Sequence, residues 1–306
     1  MTKMIEFSRL DPAFKETYNR YLTADRRQGC EFSFVNVSIW GRQRMALLHD
    51  HIVLFSQFGR CSVYPFPLGT GDIRPVLDAI MQDARDRGIP CRISSLRKED
   101  CDLLEQLYPG KFRFHTNRDD YDYVYPTEAL ALLKGKKYQS KRNFCNRFWS
   151  ANPTCRLEPM EQRHMDAVRQ MLDKWFESRL AADPYSDFHL EQVALSRALD
   201  KWQVLGMEGM VLLEEDRVLA FTMGSPLGVD TFDIHFEKAL DIADGAYNVI
   251  NQGFAQYLLE KHPEIQWLNR EDDLGLPGLR KAKLSYHPDH LVEKYWARLW
   301  EDDDEI

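Results

Sequence analysis

The 306-residue sequence lacks any run of the roughly 18 to 20 apolar residues that a membrane-spanning helix needs. Its first residues, MTKMIEFSRLDPAF, lack the apolar core of a secretory signal. The six cysteines are scattered and form no CxxC pair, which argues against a disulfide framework and against a cysteine-based zinc site. We therefore expect a cytoplasmic protein whose cysteines are small core residues and free thiols.

Features of a metal site and of a polybasic protein are also missing. The nine histidines include no spaced ligand set beyond His49 and His51, and we interpret both as turn residues. We therefore expect no metal site and no tightly bound cofactor. The net charge of −8 gives no global attraction for nucleic acid or for an anionic membrane, although a local basic patch can still bind phosphates.

What the sequence does contain is typical of a globular chain, with 44% hydrophobic and 29% charged residues. Strand-like runs such as HIVLFSQF and RVLAFTMGSPL alternate with helical patterns, and the same order of elements occurs twice. This repetition predicts an α/β (α+β) protein with two similar domains. We predict an N-terminal domain at 1–125, a basic connecting helix at 126–150, and a C-terminal domain at 151–306 that carries the site.

The connecting segment, LKGKKYQSKRNFCNRFW, contains no acidic residue. Its cations are Lys134, Lys136, Lys137, Lys141, Arg142 and Arg147. A helix of this composition can pack its aromatic side and offer its charged side to phosphates. The phosphates can belong to tRNA, to a lipid head group or to coenzyme A. The alternative is an ordinary solvated helix face.

A second candidate region begins at DTFDIHFEKAL. If this segment is a strand, Asp233, His235 and Glu237 alternate onto one of its faces. Such a face is either the wall of a site or the solvent-exposed side of an antiparallel strand. The helix that starts near Gly245 places Asn251 on an apolar face, where its amide needs a hydrogen bond if it is buried.

The third region is WLNREDDLGLPGLRKAKLSYHP. Its acidic residues directly follow a short strand, and the carboxyl end of a strand is a common position for ligand chemistry in open α/β sheets. A carboxylate such as Asp272 can deprotonate a nucleophile, and an arginine can hold a phosphate or a carboxylate. The alternative, which the sequence supports equally, is that these charges form an internal ion-pair network between the loop and the helix after it.

These three regions together resemble the soluble proteins that share the phosphatidylglycerol lysyltransferase C-terminal domain. The resemblance covers nearly the whole chain, and its motifs are Glu237-Lys238-Ala239, Gly245-Ala246-Tyr247, Asn269 to Gly275 and Gly278 to Tyr286. It implies two tandem GNAT-like (acyl-CoA N-acyltransferase) domains, with mixed, mostly antiparallel sheets flanked by helices. A more distant similarity links the chain to the Fem-type transferases, which take amino acids from aminoacyl-tRNA.

From the regions and the resemblance we predict an enzyme that transfers an aminoacyl or acyl group to an amine or a hydroxyl. Glu237 or Asp272 would act as general base. Arg270, Arg280 and Lys283 would hold phosphate or carboxylate, while Tyr247 and Asn251 would orient the acyl group. The further substrate-binding candidates are Lys238, Asn269, Glu271, Asp273 and Tyr286. Lys136, Lys137, Lys141, Arg142 and Arg147 would bind the phosphates of the donor, which we expect to be aminoacyl-tRNA.

Two other functions remain open. The first is an acyl-CoA-dependent N-acyltransferase of a small amine, although the sequence lacks the Gln/Arg-x-x-Gly-x-Gly/Ala turn of acetyl-CoA enzymes. The second is a non-catalytic GNAT-fold binding module, in which the charged loop is an ion-pair network. The lipid-modifying members of the family usually have membrane-spanning helices ahead of this region. This sequence shows none, which argues against a lipid acceptor but leaves contact with membrane lipid open.

Overall fold

The computed structural model describes residues 4–40, 43–58, 61–183, 188–241 and 244–300. Its strands are β1 (Ser8–Arg9), β2 (Gln43–Leu48), β3 (His51–Phe58), β4 (Cys61–Pro65), β5 (Arg92–Leu96), β6 (Phe112–Thr116), β7 (Asp122–Pro126), β8 (Cys155–Pro159), β9 (Glu208–Glu214), β10 (Arg217–Leu227), β11 (Thr231–Ala239), β12 (Trp267–Asn269), β13 (His290–Val292) and β14 (Tyr295–Leu299). Its α-helices are α1 (Lys15–Asp25), α2 (Phe34–Ile39), α3 (Arg74–Asp86), α4 (Lys98–Leu107), α5 (Thr127–Leu132), α6 (Gln139–Ala151), α7 (Met165–Ala182), α8 (His189–Asp200), α9 (Trp202–Leu205), α10 (Ala246–Lys261) and α11 (Pro277–Leu284).

The chain forms two compact units. The first consists of 1–122, 272–277 and 291–306, and the second of 123–271 and 278–290. This division differs from the continuous ranges predicted from the sequence, because strand pairing in each unit draws on a distant segment. In the first unit, β14 inserts between β5 and β6. In the second, β7 pairs with β12.

The first unit is built on a sheet with the order β1-β2-β3-β4-β5-β14-β6. Neighbouring strands are antiparallel except β4 and β5, which run parallel and are connected by α3. A parallel pair needs a crossover, and a helix is the usual way to make it. The apolar residues Val76, Leu77 and Ile80 of α3 are fully buried in the same core as Tyr64 and Ile93 of those two strands.

The second unit repeats this design. Its sheet has the order β13-β7-β12-β11-β10-β9-β8, and the parallel pair is β11 and β12, connected by α10. Phe254 of α10 packs against Phe232 of β11 with ring centroids 5.7 Å apart. The predicted class, two mostly antiparallel sheets flanked by helices, is therefore the class observed.

The start of α10 depends on a glycine. Gly245 has φ of 90°, in the left-handed region where side chains other than glycine are strained. A Cβ atom there would lie 2.8 Å from the carbonyl oxygen of Phe144 in α6. The residue therefore permits both the turn into the helix and the close approach of α6.

One expectation about local structure was wrong. The basic segment is not one helix, because Leu133 and Gly135 adopt positive φ and separate α5 from α6. Of the two interpretations of the polar face of β11, burial favours the wall of a site over a solvent-exposed side, since Asp233 and His235 are buried together with Ile234 between them. Among the described residues, no helix is both long and apolar enough to cross a membrane.

Candidate functional site

The second unit contains an ion pair with further hydrogen-bond donors around it. Glu237 lies near the end of β11, and Arg270 directly follows β12, the parallel neighbour of that strand. Nη2 of Arg270 donates to Oε1 of Glu237 at 2.8 Å, and Nδ2 of Asn251 in α10 donates to Oε2 at 3.3 Å. Both carboxylate oxygens therefore accept a hydrogen bond while the side chain remains 11% exposed.

Two aromatic rings contact the Arg270 guanidinium. Its central carbon lies 5.0 Å from the ring centroid of Tyr286 and 5.7 Å from that of Tyr125. Burial raises the pKa of the Tyr286 hydroxyl, and Asn248 donates to that hydroxyl oxygen at 2.7 Å. The guanidinium is thus held by a carboxylate and by ring faces, both of which attract cations.

Lys141 of α6 lies next to the same tyrosine. Its Nζ is 4.0 Å from the ring centroid of Tyr286 and donates to Oγ of Ser285 at 2.6 Å. Burial, and then the positive charge of Arg270, lower the pKa of Lys141 below its ordinary value. An added anion would relieve this repulsion between cations.

Two buried polar atoms of this cluster have no hydrogen-bond partner among the described residues. They are Nη1 of Arg270, a donor, and Oδ1 of Asn251, an acceptor. A buried polar atom without a partner costs about 1–3 kcal/mol, so such atoms are rare unless a water or a ligand satisfies them. The cluster of Glu237, Asn251, Arg270, Tyr286 and Lys141 can therefore accept a ligand that has both a donor and an acceptor.

The loop after β12 is fixed by its own side chains. Oδ1 of Asn269 accepts the backbone N–H of Glu271 at 2.7 Å, and Glu271 has a positive φ of 56°. Nζ of Lys283, which is buried, donates to the carbonyl oxygens of Arg270 at 2.5 Å and of Glu271 at 3.1 Å. Lys283 therefore stabilises the loop from within, whereas the sequence predicted that it holds a phosphate or a carboxylate.

The remaining predicted residues of this segment, Asp272, Asp273 and Arg280, have other contacts or lie in α11. Asp272 and Asp273 belong to the first unit, where each accepts a backbone N–H within the loop, from Leu274 at 3.2 Å and from Gly275 at 2.9 Å. Asp273 is fully buried and also lies 3.7 Å from Nη1 of Arg118. Arg280 is a half-buried residue of α11.

Two predicted substrate ligands, Lys238 and Tyr247, contact residues of α7 and α8. Lys238 is the next residue of β11 and therefore points to the opposite face of the sheet. Its Nζ pairs with Glu191 at 2.6 Å and lies 4.0 Å from the ring centroid of Trp175. Tyr247 accepts a hydrogen bond from Nε1 of Trp175 at 3.3 Å. These residues form a second polar group with α7 and α8.

The basic residues of the connecting segment divide into two groups. Arg142 donates to the carbonyl oxygens of Leu133 and Gly135, so its guanidinium holds the break between α5 and α6. Lys136 and Lys137 are exposed, and Arg147 is 62% exposed beside Asp244. Both lysines are therefore accessible from solution.

Several residues of these groups were missed by the sequence prediction. Asn248 in α10, Ser285 in the turn after α11 and Tyr125 in β7 all contact predicted site residues, but none of the three was singled out from the sequence. Asn248 would have been the easiest of them to predict, because it lies three residues before Asn251, one turn away on the same face of the helix.

The comparisons with known proteins first define a fold class. A conserved protein of unknown function from Bacteroides thetaiotaomicron is 33% identical, with a TM-score of 0.93, over 97% of this chain and 100% of that one. L-PGS from Bacillus licheniformis has 17% identity and a TM-score of 0.66 over 93% of this chain and 91% of that one. FemX has 8% identity and a TM-score of 0.59 over 97% and 98%. A tandem GNAT protein is a further structural neighbour. The fold is that of tandem GNAT proteins, as predicted.

The chain belongs to the family described as phosphatidylglycerol lysyltransferase, C-terminal, whose model matches residues 24–298. The resemblance stated from the sequence motifs is thereby confirmed. A curated relative, the uncharacterized protein MYCGA3080 of Mycoplasmoides gallisepticum, is 23% identical over 188 residues. That match spans 58% of this chain and 56% of the length of the relative.

Proposed function

We propose that the chain is an acyltransferase that moves an aminoacyl group from aminoacyl-tRNA to an amine or a hydroxyl acceptor. Membership of the lysyltransferase family and the fold likeness to FemX support this kind of reaction. The observation that carries the proposal is the buried group of Glu237, Arg270 and Asn251, in which one donor and one acceptor have no partner within the described part of the chain.

In the proposed reaction, the acceptor attacks the ester carbon of the aminoacyl group. A bond forms between the acceptor nitrogen or oxygen and the acyl carbon, and the bond to the ribose oxygen breaks. Glu237 takes the proton of the acceptor as general base and then gives it to the ribose oxygen, so that the 3′-terminal ribose leaves as an alcohol. Nη1 of Arg270 donates to the oxygen that becomes negative in the transition state, an interaction that strengthens as the charge develops.

The same arrangement accounts for an amino acid as the transferred group. Its α-ammonium offers donors to Oδ1 of Asn251, and its carbonyl offers an acceptor to Arg270. An acetyl or fatty acyl group has the carbonyl but no ammonium, so it would leave the Asn251 oxygen without a partner. Specificity from one unpaired buried polar atom is large compared with specificity from a missing methylene.

Lys136, Lys137 and Lys141 are the proposed contacts for the phosphates of the tRNA. Each phosphate neutralised by a lysine releases counterions, so binding weakens as salt increases. Replacing Lys136 and Lys137 together by Ala should weaken tRNA binding and reduce the slope of log affinity against log salt by roughly 2. The matched control is Lys174→Ala with Lys201→Ala, two exposed lysines of the same unit.

The test is the melting temperature of the purified protein with a hydrolysis-resistant aminoacyl-tRNA and, separately, with acyl-CoA. A ligand at about 100 times its Kd adds roughly 2.7 kcal/mol, or roughly 5–10 °C for a unit of this size. A shift with aminoacyl-tRNA that exceeds the shift with uncharged tRNA supports the proposal.

The other results would replace it. A shift with acyl-CoA alone would favour an N-acyltransferase of a small amine. No shift with either donor, together with a large fall in melting temperature for Asp272→Asn, would favour the non-catalytic module.

A further inference from the structure

A different polar cluster of the second unit, formed by Asp233, His235 and Glu271, takes no part in the proposed acyl-transfer chemistry. Asp233 and His235 are on the same face of β11, two residues apart, and Glu271 follows β12. Nδ1 of His235 lies 3.3 Å from Oδ2 of Asp233 and 3.3 Å from Oε1 of Glu271. One potential ligand atom from each of the three residues lies within 4.8 Å of the other two.

These distances are long for an imidazolium held by carboxylates. Charge-assisted N–H···O hydrogen bonds are usually about 2.7–2.9 Å between heavy atoms. Two ligand atoms bound to the same tetrahedral zinc, each at about 2.0–2.1 Å, are separated by roughly 3.3–3.4 Å. Both His235 distances match the second arrangement better than the first.

The other ring nitrogen of His235 is anchored. Its Nε2 lies 2.8 Å from Oγ of Ser225 on β10, the neighbouring strand. With the Nε2 proton donated to that hydroxyl, the lone pair of Nδ1 points at the two carboxylates. A metal-binding histidine almost always has its second nitrogen fixed by such a hydrogen bond, which sets the tautomer and the ring orientation.

The first unit provides an informative contrast. Cys30, Glu31 and Asp122 also bring potential metal ligands together. There, however, the Nζ of Lys294 lies 2.6 Å from Asp122 and 2.8 Å from Glu31, and thus already occupies the place of a cation. In the second unit, Nζ of Lys283 donates to the backbone carbonyl oxygens of Arg270 and Glu271.

We propose that Asp233, His235 and Glu271 bind one divalent transition-metal ion, with Zn²⁺ as the best fit. An imidazole nitrogen with two carboxylate oxygens is a ligand set that zinc accepts. Asp233 and His235 have fully buried side chains, whereas Glu271 is 22% exposed, so the ion would enter from the side of Glu271. The bound ion would tie the loop after β12 to the middle of β11.

The test is the metal content of the full chain, purified without a metal-affinity tag, measured by inductively coupled plasma mass spectrometry. After treatment with a chelator and incubation with Zn²⁺ or Mn²⁺, we expect about one equivalent per chain and a melting temperature a few degrees higher. Glu271→Gln, a neutral isostere at the most exposed ligand, should lose the metal while remaining folded. Ser225→Ala should weaken binding by roughly 10- to 100-fold.

The matched control is His262→Gln, which removes a histidine paired with Glu208 at 2.8 Å in the same unit. This variant should retain the full equivalent. Metal content well below one equivalent in the wild type, with no thermal response to either ion, would overturn the proposal and leave a hydrogen-bonded imidazole. Equal metal content in the wild type and in Glu271→Gln would also overturn it, because the ion would then be bound elsewhere. These results do not depend on the acyl-transfer proposal.

Discussion

Replacing Lys294 by Met should destabilise the first unit strongly. Lys294 is 8% exposed, and its ammonium is held by Asp122 at 2.6 Å, by Glu31 at 2.8 Å and by the Cys30 sulfur at 3.5 Å. Asp122 is fully buried, so removal of the ammonium takes the counter-charge from a buried carboxylate. Breaking a buried pair on one side costs about 3–5 kcal/mol, which corresponds to roughly 6–20 °C in melting temperature.

The pH dependence of this effect follows from the pKa of Lys294. Burial alone would lower that pKa, but Asp122, and then Cys30 and Glu31, raise it well above its ordinary value. The folded state therefore binds the proton more tightly than the unfolded state. The stabilisation should be fully present below the unfolded pKa of about 10.4 and should be lost as the pH rises through the folded value.

The assay is urea unfolding followed by circular dichroism from neutral pH to pH 11, for wild type and Lys294→Met. The double variant Lys294→Met with Asp122→Asn should recover part of the loss, because it removes the buried charge as well. Lys98→Met is the control, since Lys98 also pairs with a carboxylate but is 64% exposed. If Lys294→Met changed stability no more than Lys98→Met does, the argument from burial would be refuted.

Three other predictions concern the second unit and the thiols. Glu237→Gln should lower kcat by roughly 10²- to 10⁴-fold in an aminoacyl-transfer assay run where both proteins are folded, and it should also lower the melting temperature, because it takes the counter-charge from the buried guanidinium of Arg270. Glu191→Gln should affect kcat far less. Gly224→Ala should destabilise by about 1–3 kcal/mol or more in urea unfolding, because the new Cβ would lie 2.0 Å from the carbonyl oxygen of Asp233. Gly278→Ala should not, since a Cβ there meets nothing within 4 Å. Iodoacetamide at pH 8 should label Cys61 before Cys101 and Cys145, as burial raises the pKa of both latter thiols to about 11; equal labelling would contradict this.

Local pattern predicted much of the fold. The runs at 51–58 and 217–227 are strands with the bounds expected from their composition. The position of β14 could not be predicted this way, because its partners β5 and β6 lie about 180–200 residues earlier in the chain and pairing leaves no local signal. The break at Leu133 was also missed, since a leucine with positive φ is an unusual choice and only tertiary contacts can impose it.

In the candidate site, too, residues in local motifs were predicted, whereas contacts between segments distant in sequence were not. Glu237 and Arg270 were both proposed from motifs, and the parallel pairing of β11 with β12 brings them to 2.8 Å. The sequence could not show that Lys283 binds backbone carbonyl oxygens, because residue type alone does not distinguish a lysine that stabilises a loop from a lysine that binds phosphate. The distance of 36 residues between His235 and Glu271 likewise conceals their contact.

The insertion of β14 between β5 and β6 has a consequence for the synthesis of the chain. When the ribosome has completed β6, the first sheet still lacks its sixth strand in space, and both neighbours of the gap keep unpaired backbone groups. About 180 further residues, including the whole second sheet, must be translated first, which takes roughly 10 to 40 s at 5–20 residues per second. The first unit is thus translated first but completes its sheet last. Nascent chains stalled before Tyr295 should therefore be cut by protease in the first unit while the second unit resists.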